Sequence, residues 1–174
     1  FANDLWISTE ENGKRFAEWG VGGQITPVCE DANNLRFEER QFRALISIDS
    51  YHYFGGSKGF FQEKILPFME DDGVVLIGIP GLKEEYAGRA RELLFDWLLE
   101  DSDMFKSPKH WKELIGGSDR IERVETWEMD CFYKAWEDWL ATDNPYALGD
   151  KKYFEGIIKP YTCFVGISIK LKKA

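Results

Sequence analysis

The sequence predicts an α/β domain with a mostly parallel sheet, helices on both faces, and an antiparallel strand near the C-terminus. Three observations predict it. Strand-like and helix-like stretches alternate through most of the 174 residues, which is the pattern of crossover connections between parallel strands. The run Phe42 to Asp49 (FRALISID) is nearly continuously apolar, as a strand buried on both faces of a parallel sheet is. One late run, Arg120 to Met129, instead alternates apolar and polar residues with period two, the mark of a half-solvated strand.

Phe1 to Ile7 reads as a short strand. Ser8, with Glu11 three residues on, forms a capping box that opens a helix ended by Gly20. Gln24 to Asp31 is a second strand that Pro27 makes an edge or distorted strand. After the apolar third strand, Gly59 to Glu70 reads as a helix, Asp72–Gly73 as a turn, and Val74 to Ile79 as a strong strand stopped by Pro80 and Gly81. Between Glu84 and Leu99, Tyr86, Ala87, Ala90, Leu93, Leu94, Trp97 and Leu98 form one helical stripe suited to core packing. Phe105 to Ile115 is helical, and two further helices, Cys131 to Ala141 and Ala147 to Ile158, precede a last strand, Thr162 to Leu171. With no repeat or low-complexity tract, residues 1–174 read as a single domain carrying a helical insertion over 130–161.

Composition limits the function. Against 22 Lys and Arg stand 31 Asp and Glu, a net charge of -9; nucleic-acid binding needs the opposite field, so a small-molecule substrate is expected. The 44% hydrophobic content excludes disorder and suffices for a core without staples. No window approaches the roughly 20 apolar residues of a membrane span, and no basic-then-apolar leader opens the chain. A soluble, cytoplasmic protein is expected. Cys29, Cys131 and Cys163 are scattered, and with only His52 and His110 besides there is no metal-ligand spacing; no metal is expected, and the thiols are expected to be reduced.

Ligands of open α/β sheets bind at the carboxyl ends of strands. Three expected strands bring an acid there: Asp4 before Leu5 and Trp6, Asp31 before Ala32, and Asp49 before Ser50. Such a carboxylate accepts hydrogen bonds from ribose hydroxyls or an adenine amine, whereas singly each also suits a loop start or helix cap. Three in succession favour a nucleoside site.

These residues, in the stretches NDLWIS, EDANNLRFEERQF, ALISIDSYHYFGG and DDGVVLIGIPG, together resemble the class I S-adenosylmethionine-dependent methyltransferases, in the small-molecule branch of ubiquinone-type and cyclopropane-synthase-like enzymes. The resemblance covers about half the chain and implies a Rossmann-like domain with S-adenosylmethionine as cofactor and a small-molecule acceptor. It implies that Asp4 holds the ribose hydroxyls with Leu5 and Trp6 beside the adenine. Asp31 would bind the adenine amine, assisted by the Ala32 backbone N–H, and Asp49 with Ser50 would lie near the methionine part. The family's first strand and Gly-rich loop should precede Asp4. Gly20, Gly22 and Gly23 come after the first helix and read as its stop. The chain is therefore expected to be truncated at its N-terminus, to bind cofactor poorly alone, and to self-associate through the incomplete sheet.

His52, three residues past Asp49, has an intrinsic pKa suited to taking a proton from an acceptor, though it also suits packing or a loop hydrogen bond. His110 reads as a surface residue at a helix start. The 130–161 insertion is expected to cover the substrate, its aromatics enclosing an apolar or cationic acceptor. Two other readings stay open: a nicotinamide-dependent oxidoreductase, since a strand-end acid also suits that cofactor's ribose, and a binding module without catalysis.

Overall fold

The computed structural model describes residues 1–173, which fall into two compact units, Phe1–Glu38 and the stretch from Glu39 onward. Each has its own sheet.

In the first unit, β1 (Ala2–Asn3) pairs in parallel with β2 (Pro27–Val28), and α1 (Thr9–Glu18) connects them. Ser8 caps α1 as its spacing predicts, its hydroxyl accepting the Glu11 N–H at 3.2 Å. Gly20, with φ 74°, adopts the left-handed conformation that ends the helix. Both strands are shorter than the sequence suggests. The Asp4 carboxylate captures the next backbone N–H groups and turns the chain out of β1, and Pro27 cannot extend a ladder. Asn3 ties the two strand ends together: its amide donates to the Glu30 carbonyl and accepts the Glu30 N–H, each at 3.0 Å.

The second unit has four strands in the order β3-β4-β6-β5: β3 (Phe42–Ile48), β4 (Met69–Leu82), β5 (Ile121–Glu128) and β6 (Thr162–Leu171). Strands β3, β4 and β5 run one way and β6 the other. The fold is thus the mixed α/β type with a reversed C-terminal strand. That strand lies between β4 and β5 rather than at an edge of the sheet. Its nearly unbroken apolar run fits this central place.

Cross-strand pairs Val75–Ile169, Ile77–Ile167 and Ile79–Val165 line one face, and all six side chains are buried. Each such burial contributes roughly 2 kcal/mol over exposure. Helix α3 (Pro108–Ile115) packs there through the buried Trp111 and Ile115. Its C-terminal carbonyls are held by one side chain, Gln62, whose amide donates to Ile115 and Gly116 at 2.7 Å. On the other face β3 departs from its expected double burial: Ile46 and Ile48 are 67% and 68% exposed, and Leu76, which pairs with Ile46 on the inner strand β4, is exposed as well.

β4 also outruns its expected bounds at both ends. Asp72, at φ 60°, and Gly73 make an irregularity within the strand rather than a turn before it, fixed by the Asp72 N–H donating to the Lys172 carbonyl at 2.8 Å. Pro80 is tolerated because β3 has already ended opposite Gly78. Gly78 turns its carbonyl toward β3, accepting the Asp49 N–H at 2.8 Å, so Pro80 turns its hydrogen-free nitrogen to the same, now strandless, side.

Helix α2 (Ala90–Leu98) buries the expected stripe: Ala90 and Leu94 pack with Leu82 and Phe105, joined by Tyr86, Leu93, Trp97 and Leu98. The insertion holds α4 (Phe132–Leu140), α5 (Pro145–Tyr153), a π-helical turn (Phe154–Ile158) and the short α6 (Lys159–Tyr161). Phe132, Trp136 and Ile158 are its core. The stretch expected as a helix over 59–70 is instead a π-helical turn, Phe61–Ile65, and a 3₁₀ turn, Leu66–Phe68. Pro67 denies the helix a continuing donor.

One carboxylate clips the insertion to α2. Asp150 accepts the indole N–H of Trp97 at 2.8 Å through one oxygen and that of Trp139 at 3.0 Å through the other. Asp150→Leu strands two partly buried donors, so urea unfolding should register a loss of about 2 kcal/mol. An unchanged midpoint would remove the clip from the list of stabilising contacts.

Candidate functional site

At the carboxyl ends of β1 and β2, the first unit presents two acids on one edge of a parallel pair. Asp4 follows β1, its N–H donating to the Val28 carbonyl at 3.1 Å. Its Oδ1 accepts the N–H groups of Trp6 and Ile7 at 2.7 and 2.9 Å, and Oδ2 has no hydrogen bond among the described residues. Leu5 and Trp6 beside it are 49% and 87% exposed, an apolar surface next to an open acceptor. Asp31 caps the 3₁₀ turn Ala32–Asn34, and its Oδ1 accepts both the backbone and the side-chain N–H of Asn33 at 2.8 Å. Those two bonds hold the Asp31 carboxyl below the usual carboxylate range.

In the second unit, Asp49 follows β3 in a left-handed conformation, φ 52°, that is strained for a residue with a side chain. Although the residue is exposed overall, desolvation at its carboxyl raises its pKa above the ordinary value. Ser50 and Ser47 share a hydrogen bond of 2.9 Å between their hydroxyls. His52 lies in the 3₁₀ turn Tyr51–Tyr53 and is 4% exposed. Its ring stacks on Tyr53 with centroids 4.0 Å apart, and the edge of Phe105 lies at 6.1 Å. Burial lowers its pKa to about 4, and its Nδ1 has no hydrogen-bond partner. At neutral pH the imidazole is uncharged, a hydrogen-bond acceptor but a weak base. His110 is an exposed residue in the first turn of α3, as its position suggests.

A cleft of about 220 Å³ opens where β4 and β5 end and β6 begins. Lys83, Glu128, Asp130, Phe132, Tyr133 and Cys163 are among its lining residues. The strand-end reasoning that selects Asp4, Asp31 and Asp49 also applies to Glu128 and Asp130, and the sequence reading did not extend it to them. The signal was present in the run WEMDCFY, where a carboxylate closes an alternating strand just before aromatic residues. Among the described residues, no group of three His, Cys, Asp or Glu side chains could hold a metal ion, and no helix is long and apolar enough to cross a membrane.

Comparison with solved structures decides the fold family. The chain matches a putative sarcosine dimethylglycine methyltransferase from Galdieria sulphuraria with a TM-score of 0.69 at 12% identity, over 97% of this chain and 68% of that one. It has the fold of the class I S-adenosylmethionine-dependent methyltransferases. The geranyl diphosphate C-methyltransferase of Streptomyces coelicolor A3(2), solved with S-adenosyl-L-homocysteine, matches with a TM-score of 0.69 at 11% identity, over 97% of this chain and 62% of that one. The [4+2]-cyclase SpnF matches at 0.67 and 12% identity, over 99% and 65%. This chain therefore spans about two-thirds of the length of these methyltransferase-fold proteins. No family model and no curated protein matches the sequence. A fold shared by a methyltransferase and a cyclase leaves the chemistry to the residues of the site.

Proposed function

We propose that this chain belongs to a small-molecule methyltransferase that uses S-adenosylmethionine, with the adenosine held by the first unit's strand-end edge. The observation that carries the reading is the pair Asp4 and Asp31 at the carboxyl ends of adjacent parallel strands, on a chain of methyltransferase fold. The residues fit the group. Asp4 keeps one carboxylate oxygen open for a ribose hydroxyl, Leu5 and Trp6 offer apolar surface to a purine, Asp31 accepts from the adenine amine, and the Ala32 N–H donates to a neighbouring ring nitrogen.

Bound S-adenosylmethionine supplies a methyl group already activated on a sulfonium. The protein's work is then to orient an acceptor and exclude water. In this reading the unpartnered Nδ1 of His52, which is buried, meets an acceptor O–H or N–H only once the acceptor displaces the Tyr53 ring stacked on it, and takes the proton only as the acceptor acquires charge. The insertion over 130–161 covers that acceptor.

The test is a backbone amide NMR titration with S-adenosylhomocysteine, with NADH as competitor for the oxidoreductase alternative. Expected are shifts of the amides at 4–6 and 31–33, weakened roughly tenfold in Asp4→Asn by loss of a charge-assisted hydrogen bond. Stronger perturbation of those amides by NADH, or none by S-adenosylhomocysteine, rejects the reading.

A further inference from the structure

We propose that the cleft at the carboxyl ends of β4 and β5 binds a small organic cation, a methylated ammonium head group. Taken with the methyltransferase reading, on which this second step rests, the acceptor is an amine with at least one N–H, which would bind as its ammonium and release a proton to water to free the lone pair that takes the methyl group, whereas a fully methylated ammonium stands for the product. The sign of the charge around the cleft is the first reason. Glu128 and Asp130 line it, and Glu84 adjoins, its N–H donating to Glu128 Oε1 at 3.0 Å. Lys83, the lining cation, directs its ammonium at the carbonyls of Lys159 and Pro160, at 3.0 and 2.9 Å. Asp130 has no hydrogen bond or ion pair among the described residues, and Glu128 keeps its second oxygen open. Two lining carboxylates thus stand against one ammonium already engaged by the chain, while the Glu84 carboxylate accepts the Lys109 N–H at 3.0 Å outside the cleft; the field attracts a cation and repels a phosphate.

The walls are the second reason. Phe132 is buried, with its ring edge-on to Tyr133 at 5.2 Å, and Tyr133 is 48% exposed and lines the cleft. Aromatic faces beside carboxylates favour quaternary and tertiary ammonium groups over equally sized neutral ones. Cys163 is the third. It lines the cleft, is 3% exposed, and its thiol makes no hydrogen bond among the described residues. Burial first, then the charge of Glu128, push its thiol up to about 12; Lys83 opposes them, and Glu84 adds the smallest effect. It stays a neutral, polarisable wall suited to methyl groups rather than a nucleophile. A volume of about 220 Å³ lies below the roughly 300–1,000 Å³ of pockets for drug-sized ligands, which matches a head group.

The experiment titrates the whole chain with choline, with its neutral isostere 3,3-dimethylbutan-1-ol, and with methyl phosphate, following backbone amide shifts. Choline should move the amides of Asp130, Tyr133 and Cys163 and bind roughly tenfold tighter than the isostere. Glu128→Gln combined with Asp130→Asn, both at exposed positions, should abolish that preference with the circular dichroism spectrum unchanged. Equal affinity for the isostere, a preference for methyl phosphate, shifts confined to other residues, or no shifts at all would each overturn the proposal. If choline binds the cleft while S-adenosylhomocysteine leaves residues 4–6 and 31–33 unmoved, the cation site stands and its assignment to a methyl acceptor is overturned.

Discussion

Gly81→Ala should destabilise the protein by roughly 3 kcal/mol, at the upper end of overpacking substitutions, and lower its melting temperature by about 6–12 °C. Gly81 pairs with Cys163 across β4 and β6, at the rim of the cleft. A Cβ there would stand 2.5 Å from Val165 Cγ2 and 2.6 Å from the Lys106 carbonyl oxygen. The valine cannot swing away, because it is fully buried. The Lys106 carbonyl cannot retreat without loosening the Leu82 N–H that it accepts at 3.3 Å. Gly149→Ala is the control. It lies inside α5 with nothing within 4 Å of the added carbon, so it should be neutral or stabilise by up to about 1 kcal/mol through helix propensity. Equal melting temperatures for the two variants would show that the β4 edge gives way more easily than its contacts imply.

The second large effect is a dependence of stability on pH. His52 titrates near 6.5 when unfolded and at about 4 in the folded protein, because burial disfavours its charged form. Between those values the unfolded chain binds more protons, so stability rises with pH. What His52 contributes is fully present above pH 6.5 and is lost progressively as pH falls to about 4. The loss amounts to roughly 3 kcal/mol. Asp49, its value raised by burial, titrates toward the same window, whereas Asp31 and Asp72 are lowered away from it. The informative quantity is therefore the difference between wild type and His52→Phe. Urea midpoints from pH 7 to pH 4 should fall less steeply in the variant; parallel curves would mean that His52 is solvated in the folded protein.

The sequence was legible wherever a local rule sufficed. Ser8 with Gly20 bounded α1, the stripe from Tyr86 to Leu98 lay inward, and the last strand ran from Thr162 to Leu171. Caps and periodicities act within a few residues, so they survive in one dimension. The candidate site was legible in part. Asp4, Asp31 and Asp49 each follow a strand, but β1 and β2 are only two residues long, so the acids are set by turns closed on their own carboxylates or on Asn33 rather than by long ladders. The π-helical turn at Phe61–Ile65 was not legible, nor was the continuation of β4 through Pro80. Each depends on a distant partner: the end of α3 held by Gln62, and the end of β3 opposite Gly78.

By itself, the sequence determined the α/β class, the helix limits set by capping residues, and the acids that stand after strands, because each is a property of neighbours in the chain. Only the tertiary structure decided that β6 lies reversed between β4 and β5, that His52 is buried and uncharged, and that Lys83, Glu128, Asp130 and Cys163 share one cleft. Those facts join residues as much as 80 positions apart. Desolvation and charge act through space, and the sequence carries no measure of that distance until the strands have paired.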